Sequence, residues 1–277
     1  MIDCGNSKCR MDIHVRRMAN ISDMNVQATG MRAAKPRCRA RLKTMTIHDQ
    51  LTQNLNEIHD QMRAACGRAG RSPSEVRLIA VTKYAEWSWV EALSSLHRTF
   101  GENRPQQLAE RQILLPGIEW HLIGQLQRNK VKLALQHASM IHSIDSRRLL
   151  ERVAAVGTEL QIRPKVLLEA NLSQEAAKSG FTAEELRRDW SQIVSVSTAV
   201  QIDGFMTMAA ESHDPEDARP TFRSLRMLRD ELQRTDASRD AGVTLRELSM
   251  GMSGDFVPAI EEGATMVRIG SRIFAGL

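Results

Sequence analysis

From residue 46 onward, short apolar runs alternate with amphipathic stretches, so the hydrophobic period switches repeatedly between that of a strand and that of a helix. The first stretch is helical. Ile47, Leu51, Leu55, Ile58 and Met62 recur at three-to-four spacing behind Thr46 and Asp49, which have the form of a capping box, and Gly67 or Gly70 can end the turn. Eight strand candidates follow, at 76–83, 99–103, 119–124, 140–145, 165–172, 201–208, 247–253 and 266–270. Helical patterns separate them at 87–96, 105–114, 128–137, 147–160, 183–194, 214–233 and 256–262.

Eight strands alternating with helices over about 200 residues is the count of a closed parallel barrel. The expected fold class is therefore α/β, a single (β/α)8 TIM barrel over 45–277 with an extra helix at its N-terminal side. An open doubly wound sheet is the alternative, but no GxGxxG follows the first strand. Chemically capable residues gather at the expected C-terminal strand ends: Lys83, Glu102 with Asn103, His121 with Gly124, Asp145, Asn171, Met206, Ser249 to Ser253, and Arg268 to Ser271. In a barrel of this kind that rim carries the active site, and phosphate is commonly held after strands seven and eight.

Charge changes the picture only at one end. The formal charge is +5, but residues 1–44 hold ten Lys and Arg against three Asp, leaving 28 basic and 30 acidic residues beyond them. This segment has no Phe, Tyr or Trp for base stacking and no sustained helical period, so nucleic-acid binding is not expected. It reads as a disordered basic extension, or as codons upstream of a true start at Met45. A targeting presequence fits poorly, given few serines and three acids. No apolar run approaches the roughly 18 residues needed to cross a bilayer, and the first thirty residues lack the apolar core of a secretory signal. A cytoplasmic protein is expected. Cys4, Cys9, Cys38 and Cys66 show no repeated two-residue spacing, which indicates neither a zinc site nor a disulfide framework and fits free thiols.

Lys83 closes the first apolar run, and a lysine amine at a strand end beside a phosphate cradle is the pattern for an imine-linked pyridoxal phosphate. Taken alone it reads as a surface lysine closing a strand, and only the rest of the rim reverses that reading. Gly251, Ser253, Gly270 and Ser271 offer close backbone approach and hydroxyl donors to an anion, or are simply turns. Arg268, two residues before Gly270, shares its side of the last strand. It either forms a salt bridge with Glu102 or Asp145 or donates to a pyridine nitrogen, which it would leave unprotonated. His121 has the alternative of a core histidine, and Asn103 and Asn171 that of turn caps.

Seven segments in order then resemble the YggS/PROSC group of pyridoxal-phosphate-binding proteins, relatives of the alanine racemase N-terminal barrel domain. They are AVTK (80–83), FGEN (100–103), WHLIGQLQRNKVK (120–132), HSIDS (142–146), NLSQEAAKSG (171–180), GFMTM (204–208) and LSMGMSGDFVPAIEEGATMVRIGSRIF (248–274). The resemblance spans about residues 46–277. It implies a Schiff base on Lys83, phosphate binding by Ser249, Ser253, Gly270 and Ser271, and Arg268 facing the pyridine nitrogen. Asn103, His121, Asn171 and Met206 would line the cofactor pocket. Arg104 and Pro105 after FGEN, Ser271 in place of a usual threonine, and Tyr84 to Trp87 after the lysine depart from the group's pattern.

The resemblance implies intracellular pyridoxal phosphate homeostasis or carriage with little or no turnover, and transfer to cofactor-requiring apo-enzymes by a monomer or weak homodimer. The alternative is a low-activity amino-acid racemase or aldolase. In alanine racemase the acid/base opposite the lysine is a tyrosine supplied with the help of a second, all-β domain. This chain ends just past the eighth strand, and its sole tyrosine, Tyr84, is expected to point away from Lys83.

Overall fold

The computed structural model describes residues 45–172 and 179–277. The basic extension at 1–44 and residues 173–178 of the 171–180 motif lie outside the described residues. Within them, eight parallel strands close into one barrel in sequence order. These are β1 (Arg77–Val81), β2 (Thr99–Glu102), β3 (Glu119–Leu122), β4 (Met140–Ile144), β5 (Lys165–Glu169), β6 (Gln201–Met206), β7 (Glu247–Ser249) and β8 (Met266–Ile269). The seam is made by β1 and β8, with Ile79 in register with Arg268.

Each expected strand is present, and each stops short of its expected C-terminal end. Single backbone bonds carry the sheet one residue past several of these ends, as from Ile123 N to Glu102 O at 2.9 Å and Thr207 N to Ser249 O at 3.1 Å, before the chain leaves it to form the rim loops. Helices α2 (Trp87–Ser94), α3 (Pro105–Leu114), α4 (Val131–His137), α5 (Arg147–Glu159), α6 (Ala183–Val194), α7 (Arg219–Gln233) and α9 (Phe256–Glu261) occupy the expected intervals, and a short α8 (Asp236–Asp240) had no clear sequence signal. Pro105, noted as a departure from the family pattern, takes the first position of α3, where a missing N–H costs nothing.

Helix α1 (Ile47–Arg68) begins at Thr46 with the expected capping box to Asp49, and Gly70, at φ 65°, turns the chain back after it. Its buried face of Leu51, Leu55, Ile58 and Met62 packs into the main core. Asn54 Nδ2 donates to Ile273 O at 2.8 Å and Ala275 O at 2.9 Å, so the first helix grips the segment that follows β8.

Strand alternation divides the interior in two. Leu78, Ala80, Phe100, Trp120, Leu122 and Ile141 face the helices, whereas Ile79, Met140, Leu167, Met206 and Met266 form a separate apolar cluster along the barrel axis. Among the described residues no helix is long and apolar enough to cross a membrane.

Between β5 and β6 the register slips at Val166/Leu167, and Gly204 sits there at φ 154°. A Cβ on Gly204 would lie 1.9 Å from Glu247 O, so β6 and β7 approach each other only because this position is glycine. Gly204→Ala should therefore lower the unfolding free energy by at least about 2 kcal/mol, measured by urea denaturation. The matched Gly67→Ala, on α1 with nothing within 4 Å of its added Cβ, should raise it by about 0.5–1 kcal/mol through helix propensity.

Candidate functional site

The lysine turn is built first. Thr82 N donates to Gly101 O at 3.1 Å, which carries the sheet one residue past β1, and Ala85 N donates to Thr82 O at 2.8 Å, which closes a turn over Lys83 and Tyr84. Arg111, reaching in from α3, bolts this turn down: NH1 donates to Thr82 O at 2.8 Å and NH2 to Ala85 O at 3.0 Å. The same guanidinium pairs with the fully buried Glu102 carboxylate, which also accepts from the Thr82 hydroxyl. Burial pushes the Glu102 carboxyl up, and the Thr82 hydroxyl and Arg111 charge act against that rise.

Lys83 is thus half-buried on a fixed turn and makes no ion pair among the described residues. Its Nζ lies 5.0 Å from the centroid of the Tyr84 ring. The expectation that Tyr84 points away from the lysine is corrected: the residue lies in a turn where strand alternation no longer applies, and it lines the same cavity.

Across the mouth, the loops after β7 and β8 are joined by Gly270 N donating to Ser253 Oγ at 3.2 Å. Gly251 adopts φ 89°, and a Cβ there would meet Ala259 Cβ at 2.5 Å, so the β7 loop folds tightly onto α9. The Asp255 carboxylate is turned into this loop, accepting from Met252 N at 2.5 Å.

Between these walls lies a cavity of about 950 Å³. Of the expected site residues, Lys83, Asn103, Met206, Ser253, Arg268, Gly270 and Ser271 line it together. Three others are placed elsewhere. His121 and Ser249 are fully buried beneath the cavity floor, and Asn171 is half-buried after β5, with its backbone N–H bonded to Phe181 O at 2.9 Å. Ser249 is turned inward because its hydroxyl accepts from Arg268 NH1 at 2.7 Å and faces His142 Nδ1 at 2.9 Å, so it is not part of the Ser253–Ser271 cradle.

Arg268 is only 5% exposed. Its NH1 donates to Ser249 O at 2.8 Å as well as to Ser249 Oγ, and its NH2 donates to Thr207 O at 3.0 Å. Neither salt bridge considered from sequence is made, since Glu102 is taken by Arg111 on the other side of the sheet. Burial pulls the guanidinium down to about 10, against the opposing charges of Asp255 and Glu169, so it stays charged at neutral pH.

Glu169, which sequence reasoning passed over, also lines the cavity. Its carboxyl is pushed up by burial and by the Asp145 charge, against a 3.2 Å bond from Ser179 Oγ and the Arg268 charge. The available signal was strand alternation, which puts Glu169 on the same inward side of β5 as Leu167 two residues earlier.

The arrangement has an amine on a rigid turn, a hydroxyl and glycine cradle opposite, and a permanent cation between them. The alanine racemase N-terminal domain family matches residues 52–277. The chain is 37% identical to the pyridoxal phosphate homeostasis protein of Aquifex aeolicus over 225 residues, which cover 80% of this chain and 96% of that one. It is 34% identical to the protein of the same name from Escherichia coli (strain K12) over 237 residues, covering 82% and 96%. The structure of PipY from Synechococcus elongatus PCC7942 with PLP bound superposes with a TM-score of 0.68 at 34% identity, over 81% of this chain and all of that one. Alanine racemase of Clostridium difficile 630, at 14% identity and a TM-score of 0.64 over 81% of this chain and 56% of that one, shares the fold.

Removing the bolt on the lysine turn has a calculable cost. Arg111→Met should destabilise the protein by about 3–5 kcal/mol, because Glu102 is left buried without its cation, and Glu102→Gln in the same background should recover part of that loss. Urea denaturation of the two variants reads the stability. Amide hydrogen exchange at Lys83–Ala85 should quicken in Arg111→Met if that side chain holds the turn.

Proposed function

This chain belongs to the alanine racemase N-terminal-domain family, among the pyridoxal phosphate homeostasis proteins, and on that premise we propose that it binds pyridoxal 5'-phosphate in the barrel mouth for intracellular homeostasis or carriage of that cofactor. The observation that carries the reading is that Lys83, Arg268 and the Ser253–Gly270–Ser271 cradle all line one cavity. Those donors match the three ends of the molecule. Lys83, a half-buried amine, would hold the aldehyde end, the Ser253 and Ser271 hydroxyls with the Gly270 backbone would hold the phosphate, and the Arg268 guanidinium would face the ring nitrogen.

Bound, the cofactor supplies an electron-accepting ring. Arg268 would limit that capacity, because a guanidinium only donates and would leave the ring nitrogen without a proton. Arg111 and Glu102 hold the Lys83 turn so that the amine meets its target without reorganisation. Asn103 and Met206 form the sides of the pocket. The proposal extends to delivery of the cofactor to apo-enzymes in the cytoplasm by a monomer or weak homodimer.

The second reading, slow amino-acid racemisation or aldol cleavage, draws on Tyr84 and Glu169, two proton-carrying groups that line the cavity. Tyr84 serves it poorly. Its ring lies against the lysine amine and is 87% exposed, without the desolvation that gives an acid/base its leverage.

Purified protein incubated with pyridoxal phosphate should show the absorbance of a lysine-bound cofactor, and Lys83→Ala should lose it. Borohydride reduction followed by peptide mass spectrometry should place the adduct on Lys83. An adduct elsewhere, or none, overturns the reading. Racemase or retro-aldol turnover at enzyme-like rates, abolished by Tyr84→Phe or Glu169→Gln, would favour the second.

A further inference from the structure

A file of polar side chains runs down the barrel from Arg268 to the opposite end. His142 Nδ1 is 2.9 Å from Ser249 Oγ, His142 Nε2 is 2.8 Å from His121 Nδ1, and His121 Nε2 is 3.1 Å from Glu119 Oε1. Ser249, His121 and His142 are fully buried, whereas Glu119, the first residue of β3, has a side chain 45% exposed at the barrel floor.

The direction of every hydrogen bond in this file follows from its upper end. A guanidinium cannot accept, so Arg268 donates and Ser249 Oγ accepts. The Ser249 O–H then has one acceptor within reach, His142 Nδ1; any other arrangement strands a hydroxyl proton in the core. His142 is neutral, because burial and the positive charges of Arg268 and Arg77 hold its imidazole well below the usual range. Its proton therefore sits on Nε2 and is donated to His121 Nδ1. That leaves His121 its own proton on Nε2, donated to the Glu119 carboxylate, which this bond and the charges of Arg77 and Lys165 keep ionised.

We propose that Ser249, His142, His121 and Glu119 form a one-way hydrogen-bond relay that orients Arg268 and ties the donors it presents in the cavity to the carboxylate at the far end of the barrel. These four are positioning residues. The relay does not carry protons to the mouth, since reversing it would require Arg268 to accept. It fixes which N–H groups of the guanidinium are spent below, on Ser249 and Thr207, and thereby which are left for a ligand above. Asp255 and Glu169 are the other charges that face Arg268.

The cofactor half of this inference rests on the pyridoxal phosphate reading; the hydrogen-bond half does not. Nitrogen NMR of the full-length apoprotein with labelled histidine should show His121 and His142 both as neutral Nε2–H tautomers at pH 7, with His142 still neutral at pH 5.5. Ser249→Ala should let His142 populate both tautomers, and Glu119→Gln, which keeps an acceptor but removes the charge, should leave them in place. Both variants should weaken pyridoxal phosphate binding by about three- to tenfold, the size of one lost or weakened hydrogen bond, although neither lines the cavity. They should also shift the pH profile of the bound-cofactor spectrum, which a purely structural role would leave unmoved. An Nδ1–H tautomer or a charged ring at either histidine in the wild type overturns the relay, whatever the protein binds. Wild-type affinity and spectrum in both variants overturn its link to the cofactor.

Discussion

A permanent positive charge taken out of water is the constraint around which this barrel is arranged. Burying an unpaired cation is prohibitive, and a guanidinium cannot escape by losing its proton at neutral pH. Among the described residues Arg268 has no carboxylate in direct contact. Its charge is instead met by two backbone carbonyls and a serine hydroxyl, and through that hydroxyl by two histidines that end on Glu119. Polar residues therefore occupy axial positions that a barrel usually fills with branched aliphatics, and the apolar share of the axis shrinks to Ile79, Met140, Leu167, Met206 and Met266.

The two charged side chains that matter most use the fold in opposite ways. Arg268 is on a strand and points inward, so the sheet itself fixes its Cα and the relay fixes its tip. Lys83 is on a turn just beyond a strand, where the sheet no longer fixes anything, and its position depends on Arg111 reaching from α3 across the outer face of β1 and β2. Glu102 compensates that second buried guanidinium. The barrel thus places its two buried guanidiniums on opposite sides of the sheet, Arg268 lining the cavity itself and Arg111 acting on it through the Lys83 turn.

Much of this was legible beforehand because strand and helix periods are local properties. All eight strands and the capped first helix were visible in the order of apolar residues, and the Gly and Ser turns after strands seven and eight marked one wall of the cavity. Their C-terminal limits were not, because residues such as Ile123 and Met208 are apolar for the sake of the cavity they line. Ser249 and His121 were grouped with the pocket by motif and strand-end position. Both face inward, but a depth of one side-chain layer along the axis, which sequence spacing does not encode, separates the cavity from the file beneath it.

The order of residues alone therefore determined the barrel, its rim and the amine, hydroxyl and glycine turns and cation that share it, since each follows from periodicity or from the chemistry of a residue at a strand end. Tertiary structure decided which polar groups meet. Glu102 and Arg111, or Glu119 and Arg268, find their places through helix packing and barrel closure, and a hydrogen bond between distant strands depends on distances of a few tenths of an ångström that no local pattern specifies.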